Sequence, residues 1–211
     1  MMKLALGISI HNKLAAEEDV AMLKESYHER CDCCGIPTKG VNVNPLWIED
    51  FGWKNACDLC FLTANLDQIP SIDKGVFIFC PKLTQQEVNV LCRLSWAVSF
   101  HLEKSKVEIE VREAADTLSI IMSRLTKGAS DARSYFTPAI NDVDSNVAYM
   151  NLMKDEEYAQ RGLIYEHLRW MPDEEVFRES TRWYATEVFN QISIHHLQSQ
   201  VDMFMNRISK G

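Results

Sequence analysis

The chain has no apolar run long enough to cross a bilayer, so a role at a membrane would need something else to hold it there. The stretch from Met1 to Ile10 is apolar but short, and Glu17, Glu18 and Asp19 follow without a good cleavage site, which argues against a secretory signal. There are no internal repeats and no low-complexity tracts. Neither a glycine-rich phosphate loop nor a nucleophile elbow occurs. Positive charge is scarce: 22 lysines and arginines face 30 aspartates and glutamates, and the net charge of −8 argues against a general nucleic-acid binder, which carries a basic patch. The seven cysteines are odd in number and form no disulfide framework, which fits a reducing cytosol. With 46% apolar and 25% charged residues, the 211-residue chain can build a real core, as one domain or one domain plus a helical extension.

What is present is a pair of Cys-x-x-Cys motifs, Cys31–Cys34 and Cys57–Cys60, with 22 residues between them. Four thiolates at this spacing close the tetrahedral shell that Zn²⁺ prefers and leave no position for an activated water. The site is therefore expected to be structural, with its binding energy acting as folding energy. Cys31, Cys33 and Cys34 cannot all share one tetrahedron with Cys57 and Cys60. Gly35 favours Cys31 and Cys34, because a tight knuckle that turns backbone N–H groups toward sulfur needs φ > 0 after its second cysteine. Cys33 then points away as a free thiol, though it remains the competing sulfur. Rubredoxin-type iron would take the same ligands, and four unrelated buried cysteines are the plain alternative.

Along the chain, Lys3–Ile10 reads as a strand and Leu14–Glu29 as a helix with Val20, Leu23 and Tyr27 on one face. Gly40–Asn44 and Leu46–Ile48 read as short strands broken at Pro45, and Phe61–Ala64 as a short helix. Asp67–Lys74 reads as a polar loop and Gly75–Cys80 as a strand. Thr84 and Glu87 form a capping box for a helix whose apolar stripe is Val88, Leu91, Cys92, Ser95, Val98 and Leu102, with Trp96 off the stripe. Ser105–Thr126 is a second amphipathic helix stopped at Lys127-Gly128, followed by a loop over Ala129–Asp144 and a short helix over Val147–Tyr158. Gly162–Met171 reads as extended because Pro172 follows it, and Asp173 as the cap of one long terminal helix. The expected fold class is α+β: a zinc core with a small antiparallel sheet, surrounded by amphipathic helices. Residues 1–103 would form that core with its N-terminal strand and helix, and residues 104–211 a mostly helical part packed on it.

A two-knuckle zinc site with a hairpin and a helix is treble-clef-like, and its catalytic relatives are the His-Asn-His (HNH) endonucleases. Their chemistry needs a histidine base between the cysteine pairs and a second histidine near the second knuckle. The six histidines, His11, His28, His101, His167, His195 and His196, all lie outside Cys34–Cys57, and Phe61 follows Cys60. No catalytic residue is therefore assigned. A diverged nuclease would have to use Asn42, Asn44 and a carboxylate such as Glu49 or Asp50; a zinc-knuckle nucleic-acid adaptor is the third reading. His195-His196 reads as a solvated pair, Glu174-Glu175 and Asp155-Glu156-Glu157 as acidic helix starts, and Cys80 and Cys92 as core thiols.

Cys31-x-x-Cys34-Gly35, Cys57-x-x-Cys60-Phe61 and the run Val76–Cys92, which contains Cys80-Pro81-Lys82-Leu83-Thr84-Gln85-Gln86-Glu87, together resemble the DotN (IcmJ) family of the Dot/Icm type IVB secretion system. The similarity covers roughly residues 14–100, is looser around Leu168–Tyr184, and is most specific in the strand–Pro–Leu-Thr-Gln stretch. The resemblance implies a bacterial cytoplasmic subunit of the coupling complex, peripheral to the inner membrane. It implies a nuclease-related zinc fold without catalysis that binds the C-terminal extension of the coupling ATPase DotL near the adaptors IcmS–IcmW. Cys31, Cys34, Cys57 and Cys60 would be its zinc ligands, and nucleic acid would not be a partner. Trp96, Trp170 or Trp183 could anchor an amphipathic helix of the partner if exposed, the plainer reading of each being a core residue.

Overall fold

A computed structural model describes residues 4–11, 30–38, 43–70, 74–103 and 108–209. These form helices around two small antiparallel sheets of two strands each. None of the helices among them is long and apolar enough to cross a membrane. The expected helix over Leu14–Glu29 lies outside the described residues.

Strands β1 (Val43–Ile48) and β2 (Gly52–Cys57) make a hairpin, with Val43 opposite Cys57 and Ile48 opposite Gly52. The expected break at Pro45 does not occur: β1 runs through it, opposite Asn55. A strand with a neighbour on one side only can turn the N–H-less proline edge outward without losing a ladder bond. The chain passes from β2 directly into helix α1 (Asp58–Ala64).

The second sheet pairs β3 (Val76–Phe79) with β4 (Leu168–Met171) and so joins the two halves of the sequence. Helix α2 (Gln85–Leu102) begins with the capping box read from the sequence: the Glu87 N–H donates to Thr84 Oγ1, and the Thr84 N–H donates to the Glu87 carboxylate at 2.8 Å. α2 is buried on more than the expected stripe. Trp96 stacks on Phe177 at 5.7 Å, and Trp170 in β4 is fully buried. Both are core residues, and Trp183 is half-buried against the core.

Five further sequence expectations differ from the structure. Residues 4–8 form no ladder among the described residues, although Leu4, Leu6, Gly7 and Ile8 are buried. Their backbone is held by scattered partners instead: the Gly7 N–H donates to Thr63 O, the Ile8 N–H to the Tyr158 hydroxyl at 2.8 Å, and Arg161 Nε to Leu6 O at 2.8 Å. A buried extended segment can thus satisfy its main chain without a paired strand.

Helix α3 (Ile109–Tyr135) runs through Lys127-Gly128, taking seven residues of the expected Ala129–Asp144 loop. A Cβ at Gly128 would stand 2.7 Å from Phe79 O, so this glycine lets the helix backbone approach β3. Gly128→Ala should therefore destabilise the fold by about 1–3 kcal/mol through overpacking, despite alanine's advantage in a helix of roughly 1 kcal/mol. A urea melt checks this, and a stabilised variant would show that α3 ends or shifts there.

The expected Val147–Tyr158 helix is two helices, α4 (Val143–Leu152) and α5 (Asp155–Ala159). The extended reading of Gly162–Met171 holds only for β4, since Arg161–Ile164 is a helical turn, α6. The terminal segment is also not one helix. A 3₁₀ turn (Glu174–Phe177), α7 (Arg178–Trp183), a π turn (Tyr184–Val188) and a second 3₁₀ turn (Phe189–Gln191) precede α8 (Ile194–Ser209). Within the π turn, His101 Nε2 from α2 donates to the Ala185 carbonyl oxygen at 2.8 Å. A side chain inserted into the helical ladder in this way is a recognised cause of such a break.

Candidate metal centre

The knuckle at Cys31–Ile36 is closed by its own backbone. The Gly35 N–H donates to Cys31 O at 2.8 Å, the Cys31 N–H donates to Ile36 O at 2.8 Å, and Gly35 has φ +75°. Asp32 clips the knuckle to the hairpin in both directions: its N–H donates to Asn55 O at 2.9 Å, and the Asn55 N–H donates to its carboxylate at 2.8 Å. Cys57 ends β2 and caps α1, and Cys60 lies in the first turn of that helix. The hairpin therefore returns the second pair to the first without any long loop.

The sulfurs of Cys31, Cys34, Cys57 and Cys60 all lie within 4.8 Å of one another, with Cys34 and Cys57 3.9 Å apart. A tetrahedral metal at about 2.3 Å from each sulfur sets a sulfur–sulfur edge of about 3.8 Å. These four cysteines are close enough to hold one metal ion. Among the described residues no other group of three or more histidines, cysteines, aspartates or glutamates could do so.

Cys33 does not point away, contrary to expectation. It is buried beside the cluster, hydrogen-bonded to Cys31 and Cys60, and its thiol is pushed up chiefly by the bond to Cys31.

The buried sulfurs act strongly on one another. Hydrogen bonds from Cys33, Cys34, Cys57 and Cys60 pull Cys31 far down, while Cys57 and Cys60 are pushed well up, each first through its bond to Cys31, then through bonds to the neighbouring cysteines (Cys34 for Cys57, Cys33 for Cys60), with burial a smaller cause. Left to itself the cluster stabilises one thiolate at the expense of its neighbours. A bound cation would let all four serve as thiolate ligands.

One face of α2, unrecognised in the sequence, completes the site. Gln85, Asn89 and Arg93 recur at four-residue spacing and are all buried. Gln85 Nε2 donates to Trp170 O and the Trp170 N–H donates back to Gln85 Oε1, each at 2.8 Å, so Gln85 extends the β4 edge. Gln85 also donates to Asn89 Oδ1 at 2.8 Å, and Asn89 Nδ2 donates to Thr63 Oγ1 at 3.1 Å and Cys60 Sγ at 3.5 Å. Arg93 is 1% exposed and pairs with Asp58 at 2.6 Å. Burial opposes its charge, but Asp58 and then Cys57 and Cys34 outweigh burial and push its pKa up. Such outer groups orient ligands and offset the negative charge of a four-thiolate site. The signal was readable as a polar repeat at i, i+4, i+8 inside an apolar, well-capped helix.

The remaining candidates are not gathered into a site. His195 and His196 are exposed on α8, where His196 Nε2 meets Gln200 Nε2 at 3.1 Å. Glu174, Glu175 and Asp155–Glu157 sit in first turns. Asn44 lies on β1, Glu49 and Asp50 are exposed at the hairpin turn, and Asn42 lies outside the described residues. Cys80 and Cys92 are core thiols, and burial pushes Cys92 up to about 12. A thiol in the unfolded chain ionises near pH 8.5. Above that the unfolded state binds fewer protons than the folded one, so stability is full below pH 8.5 and is lost as pH rises toward 12. Urea midpoints should fall over that window, and Cys92→Ala should flatten the slope; an equal slope in the variant would contradict the assignment.

No protein-family model matches the chain, and no curated protein sequence does.

Proposed function

We propose that the four cysteines hold one structural Zn²⁺ within a treble-clef-like, nuclease-related scaffold that performs no catalysis. In this reading the protein is a bacterial cytoplasmic subunit of a type IVB secretion coupling complex. It binds the C-terminal extension of a DotL-like coupling ATPase near IcmS–IcmW-like adaptors, supports effector recruitment and export, and stays peripheral to the inner membrane. The observation that carries the proposal is the donor set itself: four sulfurs can close a tetrahedron, and among the described residues no histidine is a member of the cluster. When bound, the metal supplies cross-linking in place of a larger core. The chain's own residues do the rest, with Asp32 clipping the knuckle to β2 and Arg93 balancing the thiolates. The order knuckle, hairpin, helix supports the treble-clef reading, and the resemblance in Val76–Cys92 supports the family.

The test is co-purification of the full chain with a coupling-ATPase tail peptide, together with metal analysis. One zinc per chain and a stable complex are expected. Iron absorbance would reassign the metal. Metal-dependent cleavage of DNA or RNA that is lost on substituting Asn44, Glu49 or Asp50 would replace the scaffold reading with a nuclease.

A further inference from the structure

The four sulfurs of the metal centre are not equally sheltered. Cys31, Cys57 and Cys60 are buried, whereas Cys34 is half-buried. Cys34 also lines a cavity of about 480 Å³ between the knuckle, α2, the π turn and α8, walled by Leu94, Tyr184 and Leu197. That volume is far above the roughly 30 Å³ that a water takes up in the liquid, so small solutes have a route to Cys34.

Two further observations single out this residue. Cys34 Sγ lies 3.9 Å from Cys57 Sγ, and a disulfide between them needs about 2.0 Å, a closure of side-chain size. Cations also flank it. Arg30 lines the same cavity, with its Nη1 donating to Gly35 O at 2.9 Å, and Arg93 lies near enough to feel the charges of Cys57 and Cys34. Oxidation-sensitive cysteines are the partly exposed ones in electropositive surroundings with a resolving cysteine beside them. Cys34 meets all three conditions, and the other three sulfurs of the set fail the first.

We propose that Cys34 is an oxidation-sensing ligand: a peroxide oxidises it, Cys57 closes a disulfide on it, and the metal is released. This rests on the four-thiolate zinc reading above. The Cys34 thiolate attacks hydrogen peroxide, the O–O bond breaks, and Cys34 becomes a sulfenic acid as hydroxide departs. The Cys57 thiolate then attacks the Cys34 sulfur, the S–S bond forms, the S–O bond breaks, and a second hydroxide departs. The two thiolates supply the two electrons that reduce the peroxide. Cys31 and Cys60 are then two ligands where zinc takes four, so Zn²⁺ leaves. The disulfide joins the knuckle to the end of β2 across 22 intervening residues and keeps the hairpin tied without the metal. Disulfides of a reducing compartment are transient and redox-sensing, and this one forms and reverses in that way.

The test treats the zinc-loaded full chain with hydrogen peroxide beside a chromophoric zinc chelator, with dimedone in a parallel sample to trap sulfenic acid. Peptide mapping should place the first dimedone adduct on Cys34 and the first disulfide between Cys34 and Cys57, with one zinc released per disulfide. Dithiothreitol with added zinc should restore the metal content. Cys33→Ser should release zinc at the wild-type rate and through the same disulfide. A first adduct on another cysteine, a first disulfide that omits Cys34 or Cys57, or zinc retained after peroxide would overturn the proposal. Slowed release in Cys33→Ser would overturn it too, by making Cys33 the resolving thiol. A chain that carries no zinc before peroxide would refute the zinc reading instead, and the adduct and disulfide maps would still decide the roles of Cys34 and Cys57.

Discussion

Replacing Cys57 by serine is expected to release the metal and unfold the segment between the two cysteine pairs. Cys57 is fully buried, ends β2, caps α1, and receives its neighbours' sulfurs at tetrahedral spacing. A serine oxygen is a poor substitute for thiolate at such a site. Apparent binding energies of structural zinc are on the order of 10 kcal/mol. That is comparable with the total stability of a domain, about 5–15 kcal/mol. The expected result is less than one metal per chain by elemental analysis and a lost or much lowered thermal transition by circular dichroism. Cys33→Ser provides the contrast: it sits beside the cluster but outside the four mutually close sulfurs, so it should keep the metal. One metal per chain with an unchanged melt in Cys57→Ser would refute the ligand set, and loss of metal in Cys33→Ser with retention in Cys34→Ser would exchange those two residues.

Arg93→Met should be the most damaging change outside the cysteines. The side chain is almost wholly buried and faces Asp58 at 2.6 Å, with Ser180 Oγ at 3.4 Å and the Tyr184 ring 5.8 Å away. Removing one partner of a buried ion pair costs about 3–5 kcal/mol, because the other is left uncompensated. Here Asp58 and the thiolate cluster are both left so. The methionine variant should lose stability of about that size in urea melts and should bind metal roughly 10- to 100-fold more weakly in competition with a chelator, the usual effect of losing an outer-shell partner. Adding Asp58→Asn should recover part of the loss, since it removes one of the stranded charges. Simple additivity of the two substitutions would show that they act independently and would remove the electrostatic role assigned to Arg93.

How much of this was legible beforehand differs from element to element. Cysteine spacing and Gly35 pointed to the same four sulfurs that the fold brings together, because a knuckle is closed by bonds within six residues. The Thr84 capping box was legible for the same local reason. Gly128 was misread because its purpose is the approach of a strand nearly fifty residues earlier in the chain. The terminal segment was misread because His101, from another helix, takes a carbonyl out of its ladder. The buried polar face of α2 was passed over because Gln85, Asn89 and Arg93 look like a solvated stripe until β4 and α1 are placed against them.

The sequence by itself determined the cysteine pairs, the knuckle, the caps and the apolar faces, all set by residues a few positions apart. Only the tertiary structure decided which polar side chains support the sulfurs and where helices end. Those outcomes depend on groups remote in the chain meeting where water is excluded, and there an unpaired charge or hydrogen-bonding group carries its full desolvation cost.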